Sequence, residues 1–267
     1  MGNHWYAQNG APAYETNGHS TTLRDARKLG LAPSVTTILG IIHKEQLERW
    51  KVQQGILAAL TMPRGEDSEE AWLAKVMADS KRQAKEAAEE GSRIHDAIEK
   101  AYKASYSMGE PYFAHVDATC DEVERLFPNV TDWVSEKSFY HPLGFGGKVD
   151  LHSPSTGIVV DFKGKDGDFS DGKKLAYDQN IQLAAYQVGL GLNGLEEYRA
   201  EYDFVEPSLH VQCANIFVSR THPGKVCSYV WDAQDVAYGW SVFEAALELW
   251  KRLLRYNPAD YIQPCAA

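Results

Sequence analysis

The sequence predicts an α/β protein of the α+β kind: a mixed central sheet flanked by helices, preceded by a mainly helical N-terminal region. Three observations predict it. Apolar residues recur with helical spacing over most of residues 44–134. The period then changes to two over residues 134–163, in three short runs parted by Pro-Leu-Gly and Pro-Ser-Thr-Gly turns. Beyond residue 174 helical and strand-like stretches alternate to a long amphipathic segment at 233–255.

The 267 residues are enough for one large domain. No repeat or low-complexity linker divides them, so a single domain over 1–267 is expected, with 1–90 mainly helical and 91–267 forming the core. A hydrophobic fraction of 44% and a charged fraction of 24% are ordinary for a soluble globular chain. The net charge of −10 argues against a protein that coats nucleic acid non-specifically. It leaves room for a local basic groove, because binding follows the distribution of charge. Cysteines at 120, 213, 227 and 265 have no CxxC spacing, which argues against a zinc ribbon. The opening MGNHWYAQNG lacks a basic-then-apolar signal pattern. No apolar run approaches the ~20 residues that span a bilayer. A cytoplasmic, reducing setting with free thiols and no membrane is expected.

Taken in order, residues 3–17 read as a short hairpin or edge ribbon and 18–33 as a polar loop. Ser34 is placed to cap a short helix in VTTILGII. A helix is expected over 44–62, with Leu47, Trp50, Ile56 or Leu57, and Leu60 on its buried stripe. Pro63-Arg64-Gly65 ends it. A longer helix starts near Asp67-Ser68, with Glu69 and Glu70 suited to the positive end of its dipole, and runs to about 104. Its stripe takes in Trp72, Val76 and Met77, and Gly91 marks either close packing or a break. Residues 105–116 read as loop and 117–134 as helix, interrupted at Pro128. Strands are expected at 134–141, 145–153 and 157–163, forming a meander. A glycine-rich polar loop over 164–174 leads to a helix at about 175–191, with Ile181, Ala184, Ala185 and Val188 inward. Two more strands follow at 208–219 and 225–231. Asp232 then caps a final helix that buries Val236, Trp240, Phe243, Leu247, Trp250 and Leu254.

The chemistry is concentrated between Gly144 and Tyr186. Asp161 and Lys163 are two apart on a strand and share a face, with Phe162 opposite. An isolated DxK is most often a surface acid followed by a loop lysine. Here Asp150 lies on the preceding strand, and the tight PSTG connection brings it across from Asp161. Two converging carboxylates make a hard-oxygen site suited to Mg²⁺ or Mn²⁺. A neighbouring lysine can orient the attacking water and offset phosphate charge. His95 shares a helical stripe with Gly91 and Glu99, and Gln182 and Tyr186 are one turn apart on an otherwise apolar helix. Each of these has a plain structural reading when taken alone. Lys165, Lys173 and Lys174 in the loop after the acidic strand are candidate DNA-binding residues.

Four short motifs occur in order: GSRIHDAIE, GGKVDL, VVDFKGK and QNIQLAAYQ. Over residues 91–187 they resemble the GxxxHxxxE, GxxD, (D/E)xK and QxxxY motifs of the RecB-like branch of the PD-(D/E)xK nuclease superfamily. The opening PSVTTIL is similar to that of phage-encoded exonucleases of this branch and of mitochondrial genome maintenance exonucleases. The resemblance implies a restriction-endonuclease-like core. It implies that His95, Asp150, Asp161 and the backbone carbonyl of Phe162 hold one or two Mg²⁺ or Mn²⁺ ions. Asp150, Asp161 and Lys163 would be catalytic, with Gln182 and Tyr186 supporting them. Glu136 falls where the branch often carries an acid. Some relatives hold an iron–sulfur cluster on one upstream and three grouped cysteines; the wide spacing of Cys213, Cys227 and Cys265 departs from that pattern, and no cluster is expected. The implied activity is metal-dependent hydrolysis of DNA that is single-stranded or has a free end. An exonuclease is preferred, because the helical N-terminal region would restrict access to the cleft. The implied setting is phage or bacterial replication, recombination or repair, with a protein partner from such a system. Two alternatives stand beside it: a non-catalytic DNA-binding subunit on the same fold, and a metal-dependent hydrolase of a small phosphorylated substrate.

Overall fold

The computed structural model describes residues 4–42, 45–104, 106–191 and 212–261, with the backbone alone at 45–48 and 50. The chain begins with β1 (Trp5–Tyr6), β2 (Glu15–Thr16) and β3 (His19–Ser20). α1 (Leu23–Leu29), β4 (Ala32–Pro33) and α2 (Val35–Leu39) follow. β1 pairs with β4 and β2 with β3, so the N-terminal ribbon is two small antiparallel pairs. The polar stretch read as loop contains α1. Thr22 and Asp25 form a reciprocal capping box, and Gly30 ends the helix at φ 64°. Ser34 caps α2 as expected, accepting from the Thr37 N–H.

α3 (Glu45–Thr61) and α4 (Glu69–Lys103) form an antiparallel helical hairpin. The expected stripe of α3 is not its buried one: Ile56, Leu57 and Leu60 are exposed, as is Met77 on α4, whereas Ala58 and Val76 are buried. The side chains of Leu47 and Trp50 lie outside the described residues. α4 runs unbroken through Gly91, where strand and helix come close: a Cβ added to Gly164 would lie 3.5 Å from Gly91 Cα. α5 (Phe113–Leu126) starts earlier than the sequence indicated and stops two residues before Pro128.

β5 (Val134–His141), β6 (Phe145–His152) and β7 (Val159–Lys165) form the expected antiparallel meander. After α6 (Gln179–Gly189) the chain returns as β8 (Cys213–Ser219), parallel to β7, and β9 (Val226–Trp231) pairs antiparallel with β8. The result is a mixed five-stranded sheet in sequential order, consistent with a restriction-endonuclease-like core. A parallel neighbour requires a crossover, and α6 lies within it. Residues 208–211, expected to begin β8, lie outside the described residues.

The sheet is covered on both sides. On one face, Val160, Phe162, Ala214, Ile216 and Val218 pack with Ile94 and Ile98 of α4 and Val116 and Val123 of α5. On the other, Val149, Val159 and Cys213 pack with α6 and with Val236, Trp240, Phe243, Leu247 and Trp250 of α7 (Ala233–Leu254). Leu254 is half-buried. Phe139 of β5 fits a hole between two glycines: a Cβ on Gly147 would lie 2.8 Å from its ring, and one on Gly189 of α6 only 2.0 Å. Among the described residues no helix is long and apolar enough to cross a membrane.

Candidate active site

The meander is not regular where the acids sit. The β6–β7 ladder pairs Leu151 with Val160 and His152 with Val159 and goes no further. Val149 packs on the α6 side of the sheet and Leu151 on the α4 side, so the alternation of β6 slips at Asp150. Across from Asp150 on β5, Glu136 has φ 56°, a left-handed conformation that a side chain makes unfavourable. The two strands therefore fork just where Asp150 and Asp161 face each other.

At the fork the carboxylate of Asp150 replaces a ladder bond. Its Oδ2 accepts the backbone N–H of Phe162 at 2.9 Å. A strand residue presents its N–H and C=O to the same neighbour, so the Phe162 carbonyl faces β6 as well. Burial, followed by the nearby Asp161 carboxylate, pushes the Asp150 carboxyl up to about 6. His95 Nδ1 on α4 lies 3.7 Å from Asp150 Oδ2, with its ring edge-on to Phe162.

Asp161 is 2% exposed and fully engaged. Lys163 Nζ donates to Oδ1 at 2.8 Å and lies 2.7 Å from Oδ2. Gln182 Nε2 donates to Oδ1 at 3.0 Å, and Asn215 Nδ2 donates to Oδ2 at 2.8 Å. Gln182 Nε2 also reaches the Tyr186 hydroxyl at 2.9 Å, and its Oε1 is 3.4 Å from Lys163 Nζ. Burial lowers the Lys163 ammonium, but Asp161 and Asp150 outweigh it and the net shift is upward. Burial, with the two carboxylates, holds the Tyr186 hydroxyl well above its ordinary value.

The structure thus brings together His95, Asp150, Asp161, Phe162, Lys163, Gln182 and Tyr186 from α4, β6, β7 and α6. Glu99 points away into an ion pair with Lys103, and Glu136 is paired with Lys148. Lys165 extends the face of Asp161 and Lys163 to the end of β7. Lys173 and Lys174 do not join the cluster. They are exposed on a 3₁₀ turn (Gly172–Lys174) that packs against β9, two strands beyond β7. Gly172 anchors that turn, because a Cβ there would meet the Ser228 carbonyl at 1.9 Å.

One residue was missed from the sequence. Asn215, opposite Asp161 on the parallel strand β8, is 0% exposed and accepts Trp231 Nε1–H at 2.8 Å while donating to Asp161. The signal was present: an asparagine in the otherwise apolar run CANIFVS must find partners.

The donor types fit a hard divalent ion: a buried and a half-buried carboxylate, a strand carbonyl and an imidazole. No hydrogen bond reaches Asp150 Oδ1 among the described residues, so that oxygen is available. Both oxygens of Asp161 are instead taken by N–H donors. Among the described residues no three His, Cys, Asp or Glu side chains are grouped so that together they could hold a metal ion. The positive charge that two adjacent carboxylates, one of them buried, require is supplied by Lys163.

No protein-family profile matches the chain, and no curated protein matches it. Among solved structures, the chain is similar to a phage-related exonuclease from Haemophilus somnus 129PT at 13% identity, over 76% of this chain and 93% of that one, with a TM-score of 0.30. A likeness this loose carries no weight for fold or activity.

Proposed function

We propose that the chain is a metal-dependent deoxyribonuclease of the RecB-like PD-(D/E)xK kind, acting from DNA ends. The observation that supports this reading is the meeting of Asp150, Asp161 and Lys163 at the β6–β7 fork, under Gln182 and Tyr186 of α6. In this reading His95, Asp150, Asp161 and the Phe162 carbonyl hold one or two Mg²⁺ or Mn²⁺ ions. Such an ion would polarise the scissile phosphate and lower the pKa of a bound water. Lys163 Nζ donates to the attacking water and to a non-bridging phosphate oxygen. Gln182 keeps Lys163 and Asp161 in register by contacting both. Tyr186, a hydroxyl that stays protonated, orients Gln182. The preference for ends rests on the helical N-terminal region, which would narrow the approach.

The test is incubation of end-labelled single- and double-stranded DNA with Mg²⁺, Mn²⁺ or EDTA. Cleavage is expected with either metal and is lost in EDTA, in Asp161→Ala and in Lys163→Ala. No cleavage under any metal would overturn the enzyme reading. Cleavage that survives both substitutions would move the site elsewhere, and cleavage of closed circular DNA would replace exonuclease by endonuclease.

A further inference from the structure

Among the described residues, Lys165 is a half-shielded cation without a counter-ion. Among the described residues, Lys163, Lys165, Lys225 and Lys251 are the lysines partly shielded from solvent. Lys163 pairs with Asp161, Lys225 with Asp168 at 2.9 Å and Lys251 with Glu248 at 2.7 Å. Among the described residues Lys165 has no carboxylate partner. The nearest acid in the chain, Asp166, is taken: Arg220 holds it through Nε at 2.9 Å and Nη2 at 2.8 Å. Arg220 is itself fixed by Nη1 donating to the Ala87 carbonyl at 2.7 Å. Burial, followed by Lys163 and Arg220, depresses the Lys165 ammonium below its ordinary value. A half-shielded charge is costly unless an anion meets it.

Its position indicates which anion. Asp161, Lys163 and Lys165 alternate along one face of β7. Two residues of strand span about 7 Å, comparable to one nucleotide step of an extended single strand. We propose that Lys165 binds the phosphate next to the scissile one, so that the site takes a polynucleotide strand and not a lone phosphate ester. This rests on the nuclease reading above and adds to it a second subsite.

Short single-stranded oligonucleotides, each with one uncharged methylphosphonate linkage, provide the test. Binding is read by fluorescence anisotropy in EDTA, and cleavage of the unmodified strand with Mn²⁺ is read in parallel. In the wild type, one linkage adjacent to the cleaved one is expected to lose affinity by about tenfold when neutralised. Lys165→Ala is expected to abolish that position-specific loss and to flatten the dependence of log K on log salt by about 0.7. Lys165→Arg should retain both, which separates lost charge from lost folding. A Lys165→Ala protein with the wild-type salt slope and the wild-type penalty at that linkage overturns the subsite, while cleavage by the wild type leaves the nuclease reading standing. A wild type that binds with the position-specific penalty yet never cleaves keeps the subsite and overturns the nuclease reading. A wild type that neither binds nor cleaves overturns both.

Discussion

Asn215 Nδ2 donates to Asp161 Oδ2 at 2.8 Å across the parallel pair β7–β8, and both residues are buried. Trp231 on β9 completes the line by donating to Asn215 Oδ1. The acid at the centre of the candidate site is thereby oriented from the side of β8 and β9. Asn215→Ala leaves the Trp231 N–H without an acceptor and Asp161 without one donor. Urea unfolding should show a loss of about 1–3 kcal/mol. Trp231→Phe should cost less, because Asn215 keeps its bond to Asp161. The double variant should fall short of the sum, since the two changes act on one chain of bonds.

Asp150 has two separable duties. Its Oδ2 accepts the Phe162 N–H, and its charge stands beside Asp161. Asp150→Asn keeps an acceptor and removes the charge. Without metal its stability should equal or exceed that of the wild type, while DNA cleavage falls by about 10²-fold or more. Asp150→Ala also orphans the Phe162 N–H and should cost about 1–3 kcal/mol in the same unfolding assay.

Two buried histidines make folding dependent on pH on the acid side. His115 on α5 and His152 on β6 are each 5% exposed. Neither nitrogen of His115, and not Nδ1 of His152, makes a hydrogen bond of normal geometry among the described residues. Burial lowers both below the ordinary 6.5, and outweighs the backbone of Ser219 and then Glu90 beside His115, and the backbone of Val134 and then Asp132 beside His152. The unfolded chain then binds protons that the folded chain does not. Their contribution to stability is full above about pH 6.5 and declines as the pH falls below it, while Asp150, with its carboxyl raised to about 6, contributes in the opposite sense as the pH falls through that value. Thermal unfolding of wild type and His115→Phe at pH 7.5 and 5.5 isolates the histidine part: on going to pH 5.5 the wild type should lose stability relative to the variant.

Gly189→Ala tests the seat of α6. The added methyl would lie 2.0 Å from Phe139 Cε2, so helix or ring must move. Overpacking of this kind costs about 1–3 kcal/mol. Because α6 carries Gln182 and Tyr186, cleavage should fall as well. Adding Phe139→Leu to make room should recover stability in part.

Much of this was legible in the chain. The meander was marked by its Pro and Gly turns, the last helix by Asp232 and its aromatic stripe, and the four motifs led to side chains that do meet. The failures have particular causes. α1 lies in a polar stretch with little hydrophobic period, although Thr22, Asp25 and Gly30 signalled its ends. The stripe of α3 was misassigned because a helix with apolar residues on several sides does not say which side is covered. Lys173 and Lys174, expected as DNA contacts and not as members of the acid cluster, are no such failure; they stand apart from the acids because the path of the loop is set by the seat of Gly172 on β9. Asn215 was passed over because its partner Asp161 is 54 residues away, a distance that strand pattern does not encode.

The fork between β6 and β7 has a consequence for how such a site would open. Most clefts in a sheet protein must be reached from an edge or by moving a loop. Here two neighbouring strands in the interior of the sheet have already parted, and the freed Phe162 N–H is held by a side chain instead of a backbone carbonyl. A ligand that draws Asp150 toward itself trades one carboxylate contact and leaves every rung of the β6–β7 ladder in place. In the reading proposed above, entry and release at the fork would be motions of side chains, with the sheet on either side left as it stands.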